Sequence, residues 1–228
     1  MTEPTGIDIE HGEDGVLRIV INRADVGNSL SPNARDALAE AFIEAHSNPA
    51  VRAVLLGAAG SRHFCAGAGL PSKGDNPVPQ ALAEKRPGDI ARMLAQGWQR
   101  LVASVLDCDK PVVAAVNGVA VGAGASLVLA CDLVIAVRSA ALIELFVRRG
   151  LAPDGGAAYL LTRKVPFNVA KQLILFGEQL SAVDAHRVGL VNELVADREQ
   201  LDALAGDWAQ RLADGPTRAL AAAKMMLN

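Results

Sequence analysis

The sequence has no pair of cysteines at redox or metal-binding spacing. Its three cysteines, Cys65, Cys108 and Cys131, stand far apart, and an odd count without a framework reads as reduced thiols. An excess of charge is missing too. Twenty-two Lys and Arg against 25 Asp and Glu leave a formal charge of −3, so neither nucleic acid nor an anionic membrane is the default partner. The longest apolar stretch, around Val112–Ile135, is broken by Asn117, by glycines and by Asp132, which argues against a membrane span. MTEPTGIDIEHGEDG at the start has neither the basic nor the apolar region of a signal peptide. The four histidines, His11, His46, His63 and His186, show no ligand spacing, so no metal is expected. A soluble cytoplasmic protein is the expectation.

What is present is an ordinary core-forming composition, 51% hydrophobic and 21% charged over 228 residues, enough for one α/β domain. GVLRIVINR (15–23) alternates apolar and polar residues as a half-buried strand does. Ser31-Pro32 then supplies an N-cap and a first-turn proline, followed by an apolar stripe of Ala34, Leu38, Ala41, Phe42 and Ala45. AVRAVLLGAAG (50–60), KPVVAAVNG (110–118) and residues 131–136 read as buried strands, and ALIELF (141–146) as one more. Residues 71–90, with four prolines, read as a surface loop. Helical patterns cover 91–107, 155–163, 166–176, 182–188 and 199–226, with Ser181 and Asp184 in capping-box positions. Strands alternating with helices, then helices alone, imply a parallel α/β core with a helical C-terminal portion. The division expected is 1–190 for the core and 191–228 for the C-terminal helices.

Two glycine turns carry the chemical interest: Phe64-Cys65-Ala66-Gly67-Ala68-Gly69-Leu70 and Asn117-Gly118 through Gly122-Ala123-Gly124-Ala125-Ser126. Each follows an apolar strand, and each could present free backbone N–H groups to an anion or a developing oxyanion. Simple packing by small residues is the other reading of either turn. Phosphate-loop patterns fail on spacing, because Leu127 stands where GxGxxG needs its last glycine and no GxxxxGK[ST] or GxSxG occurs.

At this point the chain resembles a family. HFCAGAGL is similar to "FxAGADL", KPVVAAVNGVAVGAGASLVLACD to "KPVIAAVNGxAxGGGxxLxxxCD", and GLAPDGGAAYLL to "GLxPDxGGTxxLPR". Asn22-Arg23 through Ser31 and LSAVDAHRVGLVNELV complete the set, in order, over nearly the whole chain. These are motifs of the crotonase, or enoyl-CoA hydratase/isomerase, superfamily. The resemblance implies a spiral of βαβ units assembled as trimers or dimers of trimers, with coenzyme A present only as part of an acyl-CoA substrate. It implies that the thioester oxygen receives hydrogen bonds from the Ala68 and Ala123 amides, within turns that include Gly67 and Gly122. Ala66 and Leu70 would line the CoA and pantetheine track. Arg62, Lys73 or Lys85 could meet CoA phosphates, or be solvated surface charges.

Departures from the family pattern bear on the reaction. The two glutamates of family hydratases would fall at Ser126 and Phe146, neither of which can carry a proton as a carboxylate does. Three carboxylates remain between residues 131 and 161. Asp132, in the "CD" motif, reads as structural. Glu144 reads as a strand-edge residue facing solvent, or as a displaced substitute for a missing glutamate. Asp154 corresponds to the acid/base of isomerase-type relatives, or is the N-cap of the helix that follows. The expectation is double-bond isomerisation, 3-enoyl-CoA to 2-enoyl-CoA, with Asp154 as acid/base and with Phe146 and Leu151 forming an apolar pocket around it. A hydratase with relocated acid/base groups and a non-catalytic acyl-CoA-binding homologue are the alternatives. Gly69 replaces the family's loop aspartate, and the chain ends at KMMLN, where relatives usually continue.

Overall fold

Successive strands alternate between two sheets, and that alternation builds the molecule. The computed structural model describes residues 5–69 and 88–228. In the larger sheet β2 (Val16–Ile21), β3 (Ala53–Ala58), β5 (Val112–Val116), β7 (Leu133–Val137) and β10 (Glu193–Val195) run parallel, with β1 (Ile7–His11) antiparallel at the edge. In the smaller sheet β4 (His63–Cys65), β6 (Val119–Val121) and β8 (Ala141–Ile143) run parallel, and β9 (Gln179–Ser181) closes it antiparallel. The pairs β3–β4, β5–β6 and β7–β8 each place one strand in each sheet. The chain therefore advances as a spiral. The helices are α1 (Pro32–Ser47), α2 (Asp89–Gln96), α3 (Trp98–Asp107), α4 (Ala123–Ala130), α5 (Ala157–Lys164), α6 (Phe167–Phe176), α7 (Ala182–Arg187), α8 (Arg198–Asp214) and α9 (Thr217–Leu227).

Local chemistry explains the strongest elements. Ser31 Oγ accepts from the Ala34 amide at 3.3 Å and Pro32 opens α1, whose predicted stripe is buried. All five residues of β5 are buried, as a strand inside a parallel sheet covered on both faces should be. Every residue of α4 is buried as well, which its small and apolar residues allow. Ser181 caps α7 by accepting from the Asp184 amide at 3.1 Å, while its hydroxyl bonds the Asp184 carboxylate at 2.7 Å.

Several boundaries differ from the sequence reading. The helical pattern of 91–107 is two helices, because Gly97 takes φ −102°, ψ −112°, and a Cβ there would meet the Met93 carbonyl at 2.8 Å. The pattern of 199–226 is likewise broken at Gly215-Pro216, where proline has no N–H to continue α8. ALIELF is a strand only through Ile143, after which Leu145–Arg149 winds into a 3-10 turn. The three-residue strands β4, β6, β9 and β10 were not read from sequence at all. Among the described residues, no helix is long and apolar enough to cross a membrane.

Residues beyond 190 share the common core. β10 pairs with β7, and α8 buries Leu201, Ala205, Ala209 and Ala213 completely. α9 is anchored near its end by a buried ammonium group, in addition to Arg52 bonding Thr217 at its start. Lys224 Nζ lies 2.8 Å from Asp132 Oδ2 and donates to the Val105 and Lys110 carbonyls, each at 3.1 Å. Asp132 also accepts from the Val112 amide at 2.7 Å, so its carboxylate joins β5, the start of β7 and α9. That is the structural role its sequence position suggested. Replacing Lys224 with Ala should lower unfolding free energy by on the order of 3 kcal/mol, because it strands a partly buried carboxylate and two carbonyls. Urea denaturation measures this, and an unchanged midpoint would show that α9 is held by something else.

Candidate functional site

The two glycine turns meet. β4 lies beside β6, and the chain leaves both strands at the same end of the smaller sheet. Gly67 sits at φ +76°, and a Cβ there would lie 2.7 Å from the Val121 carbonyl and 3.5 Å from the Ala123 amide nitrogen. A Cβ on Gly124 would collide with the Cys65 carbonyl. Only glycine allows both approaches. The first turn is fixed from its other side by Leu30 N–H to the Gly67 carbonyl at 2.9 Å and Ala66 N–H to the Gly27 carbonyl at 3.1 Å. The second is fixed by Gly122 N–H to the Ile143 carbonyl at 2.7 Å.

The amides of Ala68 and Ala123 are among those left over. Ala123 is the first residue of α4, where an N–H has no partner within the helix. Neither its amide nor that of Ala68 has an acceptor among the described residues. Behind the first turn, burial pushes the Cys65 thiol up to about 12, so it is no nucleophile.

Ser126 connects these turns to the third motif. Fully buried one turn into α4, it donates weakly to the Asp154 carbonyl at 3.3 Å and the Gly122 carbonyl at 3.4 Å. Gly155 packs so closely that a Cβ on it would meet the Ser126 Cβ at 3.2 Å. A glutamate in place of Ser126 would have no room without moving this loop. The Asp154 carboxylate, half-buried, accepts from Gln99 Nε2 of α3 at 3.3 Å. Its reading as a helix cap does not hold: the position before α5 is Gly156, no side chain caps it, and Asp154 offers only its carbonyl to Ala157 N–H. Gln99 was missed, since one glutamine on a helical face gives no sequence signal.

The Phe146 ring reaches within 3.8 Å of where a Cβ on Gly122 would stand, so it lies against the second turn. Ala66, Gly67, Ala68, Gly122, Ala123, Ser126, Phe146 and Asp154 thus lie on connected turns. Leu151 is 49% exposed and does not enclose the aspartate in the single chain. Arg62 is exposed. Leu70, Lys73 and Lys85 fall outside the described residues.

Glu144 overturns its sequence reading as a solvent-facing residue. It is 5% exposed, and neither carboxyl oxygen has a hydrogen-bond partner among the described residues. β8 is flanked by β6 and β9 and so is no edge strand, and Glu144 heads the 3-10 turn directly after it. Desolvation alone pushes its pKa up to about 8. The signal available in the sequence was a lone acid inside an apolar run, ALIELF.

The family profile described as enoyl-CoA hydratase/isomerase matches residues 11–228. The chain belongs to that family. A 1,2-epoxyphenylacetyl-CoA isomerase of Escherichia coli (strain K12) is 37% identical over 96% of this chain and 81% of its own length. A probable enoyl-CoA hydratase of Rhodobacter capsulatus is 37% identical over 92% of this chain and 77% of its own. A crystal structure of a putative enoyl-CoA hydratase from Streptomyces coelicolor A3(2) superimposes with TM-score 0.87 at 35% identity, covering 97% of this chain and 78% of that one. The α/β spiral is therefore the crotonase fold, and enzymes acting on CoA thioesters are its relatives. Their names divide between isomerase, hydratase and dehydratase, so membership of the enoyl-CoA hydratase/isomerase family does not select the reaction.

Glu144 has a measurable consequence for stability. Its folded pKa is raised, so the unfolded chain loses this proton first as pH climbs. Stability should fall between about pH 4.5 and about pH 8, by at most about 5 kcal/mol at roughly 1.4 kcal/mol per pH unit. Chemical denaturation across that window should show the slope in the wild type and lose it in Glu144→Gln. A slope retained by the variant would assign it to other groups.

Proposed function

We propose that the protein isomerises 3-enoyl-CoA to 2-enoyl-CoA thioesters, with Asp154 carrying the proton. The observation that supports this most is the replacement of both usual glutamates, by Ser126 and Phe146, beside a retained Asp154 that the packing brings next to the second glycine turn. The E. coli relative named as an isomerase is consistent with it. Hydration needs one group to activate water and another to protonate carbon. Isomerisation needs a single base that gives back what it took.

In the proposed mechanism the thioester oxygen accepts from the Ala68 and Ala123 amides. Asp154 removes a proton from C2, the C2–H electron pair becomes the C1–C2 double bond of a dienolate, and the displaced carbonyl pair leaves its charge on that oxygen. Two fixed donors already facing the charge need no reorganisation when it forms. Asp154 then returns the proton at C4 as the carbonyl re-forms and the double bond settles between C2 and C3, and Gln99 keeps its carboxylate in place between the two transfers. Ser126 keeps the aspartate loop against α4, and Phe146 provides an apolar wall over the diene. The CoA track past Ala66 and Leu70 belongs to the same proposal, as does a cytoplasmic location.

A homotrimer or dimer of trimers is part of it as well. Phe167, Leu175 and Phe176 on α6, together with Met225, Met226 and Leu227 on α9, are each more than 60% exposed in the single chain. An apolar surface of that kind marks a protein contact. Light scattering should give three or six times 23.7 kDa; a monomer would defeat this assembly.

Asp154→Asn should lower 3-enoyl to 2-enoyl turnover by roughly 10²- to 10⁴-fold, followed by the absorbance of the conjugated thioester. Gly67→Ala should cost on the order of 10²-fold in kcat by displacing the turn that carries the Ala68 amide. Turnover unchanged in Asp154→Asn would remove the aspartate from the mechanism. An inert Gly67→Ala would remove the turn.

A further inference from the structure

Asp154 leaves Glu144 without a task, and the Glu144 carboxyl group is buried without a partner among the described residues. Ile143 on one side of it and Phe146 on the other touch the second glycine turn. The β6–β8 register pairs Ala120 with Leu142 and Val121 with Ile143, so the next residues in line are Gly122 and Glu144. The Ile143 carbonyl holds the Gly122 amide at 2.7 Å. Two residues further on, the Phe146 ring lies 3.8 Å from the Cβ position of Gly122. Glu144 is thus bracketed by contacts to the turn that presents the Ala123 amide.

The charged groups around it are occupied or turned to solvent. Arg148, on the 3-10 turn after Glu144, is exposed and reaches the Gly177 carbonyl at 3.5 Å. Glu178, before β9, is exposed. Asp154 is engaged by Gln99. A carboxyl group kept dry without a counter-charge stays protonated and has one O–H to donate. Apolar residues would fill the same place at lower cost, since an unmade buried hydrogen bond is unfavourable.

We infer that Glu144 is a specificity residue of the acyl site: its carboxyl group hydrogen-bonds an oxygen on the first carbons of the acyl chain, so the preferred ligands are hydroxy- or oxo-acyl-CoA thioesters rather than plain hydrocarbon ones. The inference rests on the reading of the site as an acyl-CoA site and adds the class of acyl group. The bond forms in the enclosed environment that left the carboxyl unpaired. A site built around a buried polar group discriminates against a ligand that cannot satisfy it.

The test compares butyryl-CoA with 3-hydroxybutyryl-CoA by titration calorimetry on the wild type, Glu144→Leu and Glu144→Gln. The wild type should bind the hydroxy ester about tenfold tighter, Glu144→Leu should bind both alike, and Glu144→Gln, which still donates, should keep most of the preference. Equal affinities in the wild type overturn the inference without needing a variant, and so does a preference that survives in Glu144→Leu. Isomerisation of 3-enoyl-CoA in the same preparation separates the two readings. Equal binding with turnover intact defeats this inference alone, whereas failure of both esters to bind defeats it together with the acyl-CoA site.

Discussion

The site depends on how closely two turns of backbone approach each other. Gly67 against the Val121 carbonyl and Gly124 against the Cys65 carbonyl leave no space for a methyl group on either side. That contact brings the Ala68 amide near the first turn of α4 and leaves both it and the Ala123 amide without acceptors among the described residues. Backbone donors of this kind cannot be removed by changing their own side chains. They are sensitive instead to the residues that set the distance between the turns, and most of those are glycines.

Around this contact the fold arranges two carboxyl groups in different surroundings. Asp154 lies on a half-buried loop with an amide side chain to orient it. Glu144 lies deeper, between β8 and a 3-10 turn, with nothing to bond. In the proposed site the first exchanges protons and the second recognises the acyl group, because only the first is placed where charge can be accommodated. The same small residues that form the second glycine turn give Ser126 its place, and Ser126 in turn ties the aspartate loop to α4.

The spiral explains how segments so distant in sequence come together. Each turn delivers a strand to the smaller sheet, and the residues following β4, β6 and β8 therefore emerge side by side. Ala68, Ala123 and Glu144 all follow such strands. The far end of the molecule is organised by charge rather than by close packing of backbone, since Lys224 and Asp132 join α9 to β5 and β7.

The family and its spiral architecture were implied by the motif resemblance, while the residues by themselves determined the α1 stripe with its Ser31-Pro32 start, the buried strands around β5, and the two glycine turns. These are properties of local order: periodicity, capping chemistry and glycine spacing persist in a linear reading. It could not show β4, β6, β9 and β10, which are too short to display an alternation and exist only because a neighbour supplies hydrogen bonds. Nor could it break 91–107 at Gly97, where the conformation is imposed by packing. Above all, tertiary structure decided the state of the carboxyls. Asp154 is free of capping because α5 begins only at Ala157, with Gly156 at its cap, and Glu144 is buried because β8 is paired on both sides, by β6 and β9. Burial and partnership are properties of what lies across space, and no spacing along the chain encodes them.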